Sequence, residues 1–508
     1  TANFTAGVWL FYRLAYEQLR IRRPAGGRRK RVLIIGAGEA GHFLAREIQR
    51  SPVGYRLVGF VDDDPLKWGT QLCDVPVLGS TLGLERYARA WKVEELLVAM
   101  PSATKEDFRR VIEACEATGL PTKILPGAAE VLNGEAALHQ LRELRIEDLL
   151  GREPVKLELP ELAADLKARR VLITGAAGSI GSELSRQVAL HRPGVLVLFD
   201  QAETEMYYLE LELREKHPGL HIVPVIGDIV DAAAVERVFR EYAPERVFHA
   251  AAYKHVPMME VNIREAIRNN VIGTHRVADA AGRHRAERFV LVSTDKAVRP
   301  ASVMGASKRL AELVVLEAQE AYPDTTYCAV RFGNVLGSAG SVLPIFRRQL
   351  EAGKPLTVTH PEVTRYFMTI PEAVQLILQA SLLPEIRGRI AMLDMGEPVR
   401  IVDLARNLLR LAGRAHLNGK GIVFTGLRPG EKLHEELVAP EEATSETSIP
   451  KVRIIATKNR AGVRITPMLT EWEKELAEGR ESEARAFLAA SYPGLQAVAR
   501  PGDGRRVV

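Results

Sequence analysis

The chain has 508 residues, of which 46% are hydrophobic and 26% are charged, and its formal net charge is +5. This length predicts two or more domains, and the composition excludes a largely disordered chain because enough apolar residues are present to form cores. The small net charge argues against nucleic-acid binding, and three widely spaced cysteines without a C-x-x-C or disulfide pattern indicate a reducing compartment.

The first 29 residues combine a short apolar run with a cluster of basic residues. The run at residues 7–12 is too short to span a bilayer, and seven Arg and Lys residues follow between positions 20 and 31. Such a cluster is typical of a solvated helix end or of the cytoplasmic boundary of a membrane anchor. We interpret residues 1–29 as a membrane-proximal stub and basic linker, left from an anchor that is largely missing.

The next segment has the pattern of a dinucleotide-binding fold. Residues 31–35 (RVLII) form an apolar run typical of a buried parallel strand, and GAGEAG at 36–41 follows with G-x-G-x-x-G spacing. Asp62 ends the next strand, about twenty residues after the glycines. We predict a Rossmann-like domain over residues 30–125, in which the glycines serve either a nucleotide or only close helix packing.

A second strand–glycine–helix unit begins near residue 171, after a connector that we place at 126–165. Its glycines have G-x-x-G-x-x-G spacing (GAAGSIG, 175–181). Without Cβ atoms there, the backbone can turn tightly and approach a pyrophosphate at the start of the following helix. In this turn we expect the cofactor to contact Gly175, Gly178, Ser179, Ile180 and Gly181.

Three further strand ends carry the chemistry of a dinucleotide site. One strand ends in Asp200, whose carboxylate would accept hydrogen bonds from a ribose 2'-hydroxyl and repel a 2'-phosphate, so NAD is favoured over NADP. The next ends in Asp228 and Ile229, placed for the adenine. The fourth ends in Ala250 and Ala251, small residues over which a dinucleotide could pass.

Helical and strand patterns alternate beyond this point, which predicts crossover connections and a doubly wound parallel sheet. The predicted helices are 230–241, 257–284 and 303–322, and the predicted strands are 246–249, 288–293 and 325–331. The expected fold class is α/β with two Rossmann-like domains. We place the larger domain at 166–460, with a small substrate lobe from about 334, followed by a helical tail at 461–508.

The candidate catalytic residues follow the fifth strand of the second unit. Thr294, Asp295 and Lys296 stand at its carboxyl end, and Met304 and Lys308 come one helical turn apart on one face of the next helix. Taken alone, Asp295 and Lys296 are also compatible with a surface ion pair, and Met304 with a core residue.

These motifs resemble the extended short-chain dehydrogenase superfamily, which has Ser or Thr at this strand end and Y-x-x-x-K on the helix. Here Met304 replaces the tyrosine. Together with TGAAGSIGSEL, STDKAVRPASVMGASK, RFGNVLGSAGSV and LRPGEKLHEEL, the chain is similar to the membrane-associated nucleotide-sugar 4,6-dehydratases of bacterial polysaccharide biosynthesis, in which methionine is usual at that position. The resemblance extends over residues 30–460.

The resemblance implies a redox-neutral dehydration of UDP-N-acetylglucosamine with bound NAD and with retention at C5. Thr294 would bond the C4 oxygen, Asp295 would protonate the departing C6 hydroxyl, and Lys296 would act at C5. Lys308 would hold the nicotinamide ribose and help to remove the C4 hydroxyl proton. Because Met304 cannot transfer a proton, Asp295 and Lys296 must supply the acid and the base.

The resemblance also implies a UDP-sugar cleft, a homo-oligomer, and attachment to the inner membrane with this part facing the cytoplasm. The residues expected at the substrate are Lys254, Asn270, Asn334, Arg365, Arg428 and Glu431. No metal site is predicted, because His249 and His255 lack a third ligand with matching spacing. Two alternatives stay open, a UDP-N-acetylhexosamine 4-epimerase and a non-catalytic dinucleotide sensor.

Overall fold

The computed structural model describes residues 29–50, 54–125, 141–143, 160–412, 421–456, 464–478 and 481–491. The chain divides into two compact units, with the main boundary after Glu153. Residues 1–28 of the predicted stub and most of the predicted connector lie outside the described residues. Within the described ranges, no helix has both the length and the apolar character needed to cross a membrane.

The first unit is built on a five-stranded sheet with strand order β2-β1-β5-β6-β7. The strands of this sheet are β1 (Lys30–Ile35), β2 (Tyr55–Val61), β5 (Glu95–Val98), β6 (Thr122–Ile124) and β7 (Arg142–Glu143). Strands β3 (Gln71–Leu72) and β4 (Val75–Pro76) form a separate two-stranded sheet. The helices of the unit are α1 (Glu39–Arg50), α2 (Leu84–Ala90) and α3 (Lys105–Ala117). All pairings in the five-stranded sheet are parallel except that of β6 with β7. Both faces of β1 are buried, as its continuous apolar run predicts.

The second unit contains a nine-stranded sheet, in which seven neighbouring strands are parallel. The first six have the order β10-β9-β8-β11-β12-β13, and the seventh is β18 (Arg389–Leu393). The first six are β8 (Arg170–Thr174), β9 (Val195–Asp200), β10 (Ile222–Ile226), β11 (Arg246–His249), β12 (Arg288–Val292) and β13 (Thr326–Arg331). The helices of this part are α4 (Pro160–Leu166), α5 (Ser179–Leu190), α6 (Glu203–Lys216), α7 (Ala232–Tyr242), α8 (Val256–Met259), α9 (Ile263–Ile267), α10 (Thr274–Arg283) and α11 (Val303–Ala321). Apolar clusters cover both faces of the sheet, so its strands are buried on both sides.

The segment after residue 334 differs from the predicted separate lobe, because part of it returns to the main sheet. Strand β18 (Arg389–Leu393) pairs in parallel with β13, and β22 (Val452–Ala456) and β21 (Ala443–Glu446) extend the sheet antiparallel. The remaining short strands are β14 (Asn334–Val335), β15 (Leu356–Val358), β16 (Thr364–Arg365), β17 (Phe367–Met368), β19 (Val399–Arg400) and β20 (Ile422–Phe424). The helices are α12 (Val342–Glu351), α13 (Ile370–Ala380) and α14 (Ile401–Leu411).

The C-terminal helices α15 (Thr466–Glu478) and α16 (Glu481–Ser491) pack on the second unit. Trp472 of α15 is fully buried in one apolar cluster with Ile267, Val303 and Met304. Glu317 of α11 accepts hydrogen bonds from two backbone amides where α15 begins. The tail is therefore part of the core around α11.

The predicted fold class is confirmed: the chain is α/β with two parallel-sheet units. One predicted helix, 257–284, is interrupted. A π-helical turn at Arg268–Gly273 separates α9 from α10, and α8 forms a short helix of its own. The periodicity of apolar residues does not reveal such a π turn, because it changes the helical register by only one residue.

Candidate active site

Two glycines of the turn after β8, Gly175 and Gly181, leave no room for a side chain. Gly175 has φ +67°, and a Cβ built there would lie 2.5 Å from the backbone nitrogen of Ala251. A Cβ at Gly181 would lie 1.9 Å from the carbonyl oxygen of Gly175, so α5 can start this close to the strand only with glycine. Gly178 is different, since it is the exposed N-cap of α5 and nothing but the Gly175 carbonyl oxygen lies within 4 Å of a Cβ there.

Two other residues of the turn contact the protein itself. Ser179, the first residue of α5, accepts a 3.2 Å hydrogen bond from the backbone amide of Ala339. Ile180 packs against the sheet core. The Ser179 hydroxyl therefore links the glycine turn to the loop that follows β14.

The strand-end residues predicted for the cofactor lie beside this turn. Asp200 accepts hydrogen bonds from the amides of Ala177 (2.9 Å) and Ala202 (3.0 Å), and it stays half-buried. Thus its carboxylate is fixed against the glycine turn. Asp228 is also half-buried, and Ala250 follows the end of β11.

Ile229 differs from its neighbours because its side chain is directed into the core. It is 4% exposed, and it fills the space beside Gly273, where a Cβ would lie 2.6 Å from its Cδ1. We conclude that only the backbone of Ile229 is available to a ligand.

His249 has a structural role beneath the site. It is completely buried between Thr174 and Thr274, with Nδ1 2.6 Å from one hydroxyl and Nε2 3.0 Å from the other. Thr274 donates its own proton to the carbonyl oxygen of Asn270, so it must accept from Nε2–H. Burial lowers the pKa of His249 to about 3, so the ring is neutral and holds β8 against α10. The described residues contain no cluster that could hold a metal ion.

The candidate catalytic turn begins where β12 ends. Thr294 donates a 2.9 Å hydrogen bond to Oδ1 of Asp295, and Lys296 Nζ lies 3.0 Å from the same oxygen. The backbone amide of Asp295 donates to the carbonyl oxygen of Phe332, which fixes the turn to the chain after β13. The Asp295 side chain is fully buried, and its Oδ2 has no hydrogen-bond partner among the described residues.

Lys296 lies between acceptors from three parts of the chain. Besides Asp295, its Nζ donates to Oδ1 of Asn334 at 3.1 Å and lies 3.6 Å from Oε1 of Glu435. Burial by itself would lower the pKa of Lys296, but the carboxylates of Asp295 and Glu435 outweigh this effect and raise it. In this structure Lys296 is a positively charged ammonium group.

Helix α11 brings Lys308 to the same strand end. Lys308 Nζ donates a 2.7 Å hydrogen bond to the carbonyl oxygen of Val292, the last residue of β12. Burial lowers the pKa of Lys308 to about 8. Met304 is 2% exposed and packs in the cluster that also contains Trp472. Gly305 lets the helix approach the turn, because a Cβ there would lie 2.3 Å from the carbonyl oxygen of Lys296.

Asn270, predicted to contact substrate, makes its hydrogen bonds within the protein. It is fully buried, and its side-chain amide bonds both the backbone amide and the carbonyl oxygen of Tyr253 and the hydroxyl of Ser307. All of these partners are protein groups, and they fix the segment after β11. Lys254, next to Tyr253, is exposed, and Asn334 is half-buried at the catalytic turn.

Arg365, predicted to bind the diphosphate, also has partners within the protein. Its guanidinium group donates to Glu431 at 2.9 Å and to the carbonyl oxygens of Thr364 and Leu433. Glu431, predicted for a ribose hydroxyl, also accepts from Thr359 and from the backbone amide of Arg428. Both side chains are therefore committed within the protein. Arg428 itself is exposed.

Glu435 is the site residue that sequence reasoning missed. It stands beside Glu436 in LHEEL, and nothing in the sequence distinguishes the two. In the structure the Glu435 side chain is 4% exposed and contacts Lys296, whereas Glu436 is 32% exposed and pairs with Arg299. Only their tertiary contacts distinguish the two glutamates.

A buried ion-pair network supports the strand ends behind the turn. Glu312 of α11 is fully buried, accepts a 2.7 Å hydrogen bond from Ser293 and pairs with both Arg331 and Arg309. Burial opposes ionisation of Glu312, but the arginines lower its pKa to about 2. Arg331 in turn pairs with Glu442. This network connects the ends of β12 and β13 to α11.

Comparison with known proteins gives matches to both units. The profile of the polysaccharide biosynthesis protein family matches residues 171–457, and that of a CoA-binding domain matches residues 3–126. The chain is 42% identical to the probable polysaccharide biosynthesis protein EpsC of Bacillus subtilis (strain 168) over 488 residues, which is 96% of this chain and 80% of that protein.

Two further matches cover the second unit. The chain is 35% identical to the UDP-glucose 4-epimerase of Rickettsia canadensis (strain McKiel) over 280 residues, covering 54% of this chain and 79% of that protein. The X-ray structure of Pen from Bacillus thuringiensis superposes with a TM-score of 0.52 at 33% identity, covering 57% of this chain and 90% of that one.

Proposed function

The chain belongs to the polysaccharide biosynthesis protein family, and from this membership and the site geometry we propose that it is an NAD-dependent UDP-N-acetylglucosamine 4,6-dehydratase. The observation that carries the proposal is the contact of Asp295 with Lys296 at the end of β12. Lys308 of the next helix, α11, is hydrogen-bonded to the last residue of the same strand. An elimination needs a proton donor and a proton acceptor within reach of adjacent carbons, and the Asp295–Lys296 pair supplies both.

The residues present fit a dinucleotide at the glycine turn. Gly175 cannot carry a side chain, Gly178 has open space above it, and Asp200 is held against the turn with part of its carboxylate exposed. These residues would hold the pyrophosphate and the adenosine ribose, with Lys308 near the nicotinamide ribose. NAD, when bound, would take a hydride from C4 and return it to C6.

The chain's own residues perform the proton transfers in this proposal. With a pKa of about 8, Lys308 is partly neutral near neutral pH and can accept the C4 hydroxyl proton. Thr294 would bond the C4 oxygen. Lys296 would take the proton from C5, which the C4 carbonyl makes acidic, and Asp295 would protonate the C6 hydroxyl so that it leaves as water.

The similarity to a UDP-glucose 4-epimerase favours a second candidate, a UDP-N-acetylhexosamine 4-epimerase. Such an enzyme would return the hydride to C4. Met304 stands where a phenol would serve that chemistry, and the epimerase would leave the Asp295–Lys296 pair without a proton to transfer, so we favour dehydration.

Incubation of the purified chain with UDP-N-acetylglucosamine, followed by mass spectrometry, separates the candidates. Dehydration gives a product lighter by one water, whereas epimerisation gives the same mass with altered stereochemistry at C4. Bound NAD without turnover on any UDP-sugar would favour the dinucleotide sensor and refute both enzymes.

A further inference from the structure

Two carboxylates from different parts of the chain meet at Lys296. Asp295 Oδ1 lies 3.0 Å from Nζ, and Glu435 Oε1 lies 3.6 Å from it. Glu435 is 8% exposed as a residue, and it comes from the segment between β20 and β21, far from β12 in sequence. Glu435 therefore reaches the catalytic turn only when the chain folds.

Each of these carboxylates keeps one oxygen unused. Oδ2 of Asp295 and Oε2 of Glu435 are both buried, and neither has a hydrogen-bond partner among the described residues. Buried carboxylate oxygens are normally paired, because leaving them unpaired costs free energy. An arrangement of this kind is expected where a proton or a ligand is bound during function.

The other charged groups around Lys296 are Arg365 and, through it, Glu431. Arg365 Nε lies 3.6 Å from Oε1 of Glu435, and its positive charge disfavours the ammonium form of Lys296. Glu431 pairs with Arg365 at 2.9 Å, so its negative charge partly cancels that of Arg365. Counting Asp295, Glu431 and Glu435 against Lys296 and Arg365, the group has three acids and two bases. The net negative charge of the other four groups therefore favours the protonated, ammonium form of Lys296.

We propose that Glu435 is a positioning residue of the proposed dehydration: it holds Lys296 Nζ against Asp295 and stabilises the ammonium form that Lys296 reaches when it takes the C5 proton. The inference rests on the proposed function. Glu435 acts through Lys296 and contacts no reacting atom.

Asp295 and Lys296 together donate and accept every proton that moves in the elimination. Transfer of one proton from Nζ to Oδ1 converts the ion pair into a neutral amine and a carboxylic acid. The amine then accepts the proton from C5, the C–H electron pair forms the C5–C6 double bond, and the C6–O bond breaks as Asp295 protonates the leaving oxygen. Water departs, and the pair returns to ammonium and carboxylate. The Glu435 charge stabilises the ammonium form at both ends of this step, so it favours return of the pair to its ionised form and keeps Nζ beside Asp295.

The test measures the ionisation of Lys296 directly, by competitive acetylation of the full chain with trace acetic anhydride at a series of pH values. After complete acetylation and cleavage at arginine, the expected peptide is residues 289–309, because the Arg299–Pro300 bond resists cleavage. It contains Lys296 and Lys308, which fragmentation of the peptide in the mass spectrometer distinguishes. Wild type, Glu435→Gln and Glu436→Gln are compared. Glu436 is the matched control, being the adjacent glutamate that pairs with Arg299 instead.

We expect the acetylation midpoint of Lys296 to fall by about one pH unit or more in Glu435→Gln, because a charge within about 4 Å is removed, and to stay unchanged in Glu436→Gln. Turnover should fall about tenfold in kcat with KM unchanged, because Lys296 Nζ loses one of the contacts that hold it beside Asp295. Glu435→Asp, which keeps the charge, should restore most of the midpoint.

Equal midpoints in wild type and Glu435→Gln would overturn the proposal even in an active enzyme. If Glu435→Gln does not fold, the wild type decides: a Lys296 midpoint at or below those of exposed lysines in the same digest also overturns it. A shifted midpoint in a protein that removes no water from UDP-N-acetylglucosamine would refute the dehydratase and leave the Glu435–Lys296 coupling established.

Discussion

Asp295 and Lys296 are neighbours in sequence, and their side chains meet at 3.0 Å between Oδ1 and Nζ at the end of β12. Adjacent residues on an extended strand point to opposite faces, so this contact requires the short 3-10 turn at Asp295–Ala297. Thr294 starts the turn and donates a hydrogen bond to the same Asp295 oxygen. Oδ1 of Asp295 is thus shared by Thr294 and Lys296, while Oδ2 has no hydrogen-bond partner among the described residues.

The first prediction concerns the acid role of Asp295. Asp295→Asn should lower the rate of water loss by roughly 10²-fold or more, because an amide cannot donate the proton that the C6 oxygen needs. NAD should still bind, since the glycine turn is unchanged. The measurement is product mass against time together with NAD content.

Asp324→Asn, at an exposed loop position, is the control for this variant and should keep wild-type turnover. Undiminished dehydration by Asp295→Asn with normal NAD content would remove Asp295 from the acid role.

The second prediction is a pH dependence set by Lys308. Its pKa of about 8 means that the neutral form grows as pH rises and is largely complete above about pH 9. The first hydride transfer, followed as formation of reduced nicotinamide in a single turnover, should therefore accelerate between about pH 6 and pH 9 and then level off.

Lys308→Arg should be slow and should lose this rise, because arginine stays protonated throughout the range. Lys354→Arg changes an exposed lysine and should keep the wild-type profile. A wild-type rate independent of pH over this range, or the same rise in Lys308→Arg, would contradict the assignment.

The third prediction separates the two glycine turns. Gly178→Ala should weaken NAD binding by about tenfold or more, equivalent to about 1.4 kcal/mol, because the new methyl group occupies the open face of the turn where the pyrophosphate would lie. The backbone at Gly178 has φ −71°, which alanine adopts readily, so the free energy of unfolding should fall by less than about 1 kcal/mol.

Gly38→Ala in the first unit is the matched control, since nothing lies within 4 Å of a Cβ there. It should leave NAD affinity in calorimetric titration unchanged. Loss of NAD binding in Gly38→Ala, with none in Gly178→Ala, would move the NAD site to the first unit.

The parallel-sheet framework could be predicted from the sequence because its signals are local. Strand β11 (Arg246–His249) occurs where the apolar run predicts it, and Asp200 stands at a strand end, where an acidic residue is easily recognised. Carboxyl ends of parallel strands lie at one edge, so residues there converge whatever the details of packing.

Residues outside those strand ends could not be assigned from local pattern. Asn270 lies in a π-helical turn that directs its amide to Tyr253, and the sequence gives no sign of that turn. Arg365 and Glu431 look like free ligand groups until folding pairs them with each other. The difference between Glu435 and Glu436 likewise depends on which one packs against β12.

The last prediction concerns the C-terminal helices and the position of α11. Trp472 of α15 is fully buried in the cluster that contains Met304 and Val303, the residues that begin the helix carrying Lys308. Removing the indole leaves a cavity directly behind this end of α11. Trp472→Ala should lower the free energy of unfolding by about 3–5 kcal/mol, from lost burial together with the cavity.

Activity should fall further than loss of stability explains, because Lys308 needs its place beside the Val292 carbonyl oxygen to act on a substrate. The measurement is kcat well below the unfolding temperature, where the variant is fully folded by circular dichroism. Trp91→Ala, at a partly exposed site of the first unit, should leave kcat unchanged. A fully folded Trp472→Ala protein with wild-type kcat would show that α15 supports stability alone and that the position of α11 does not depend on it.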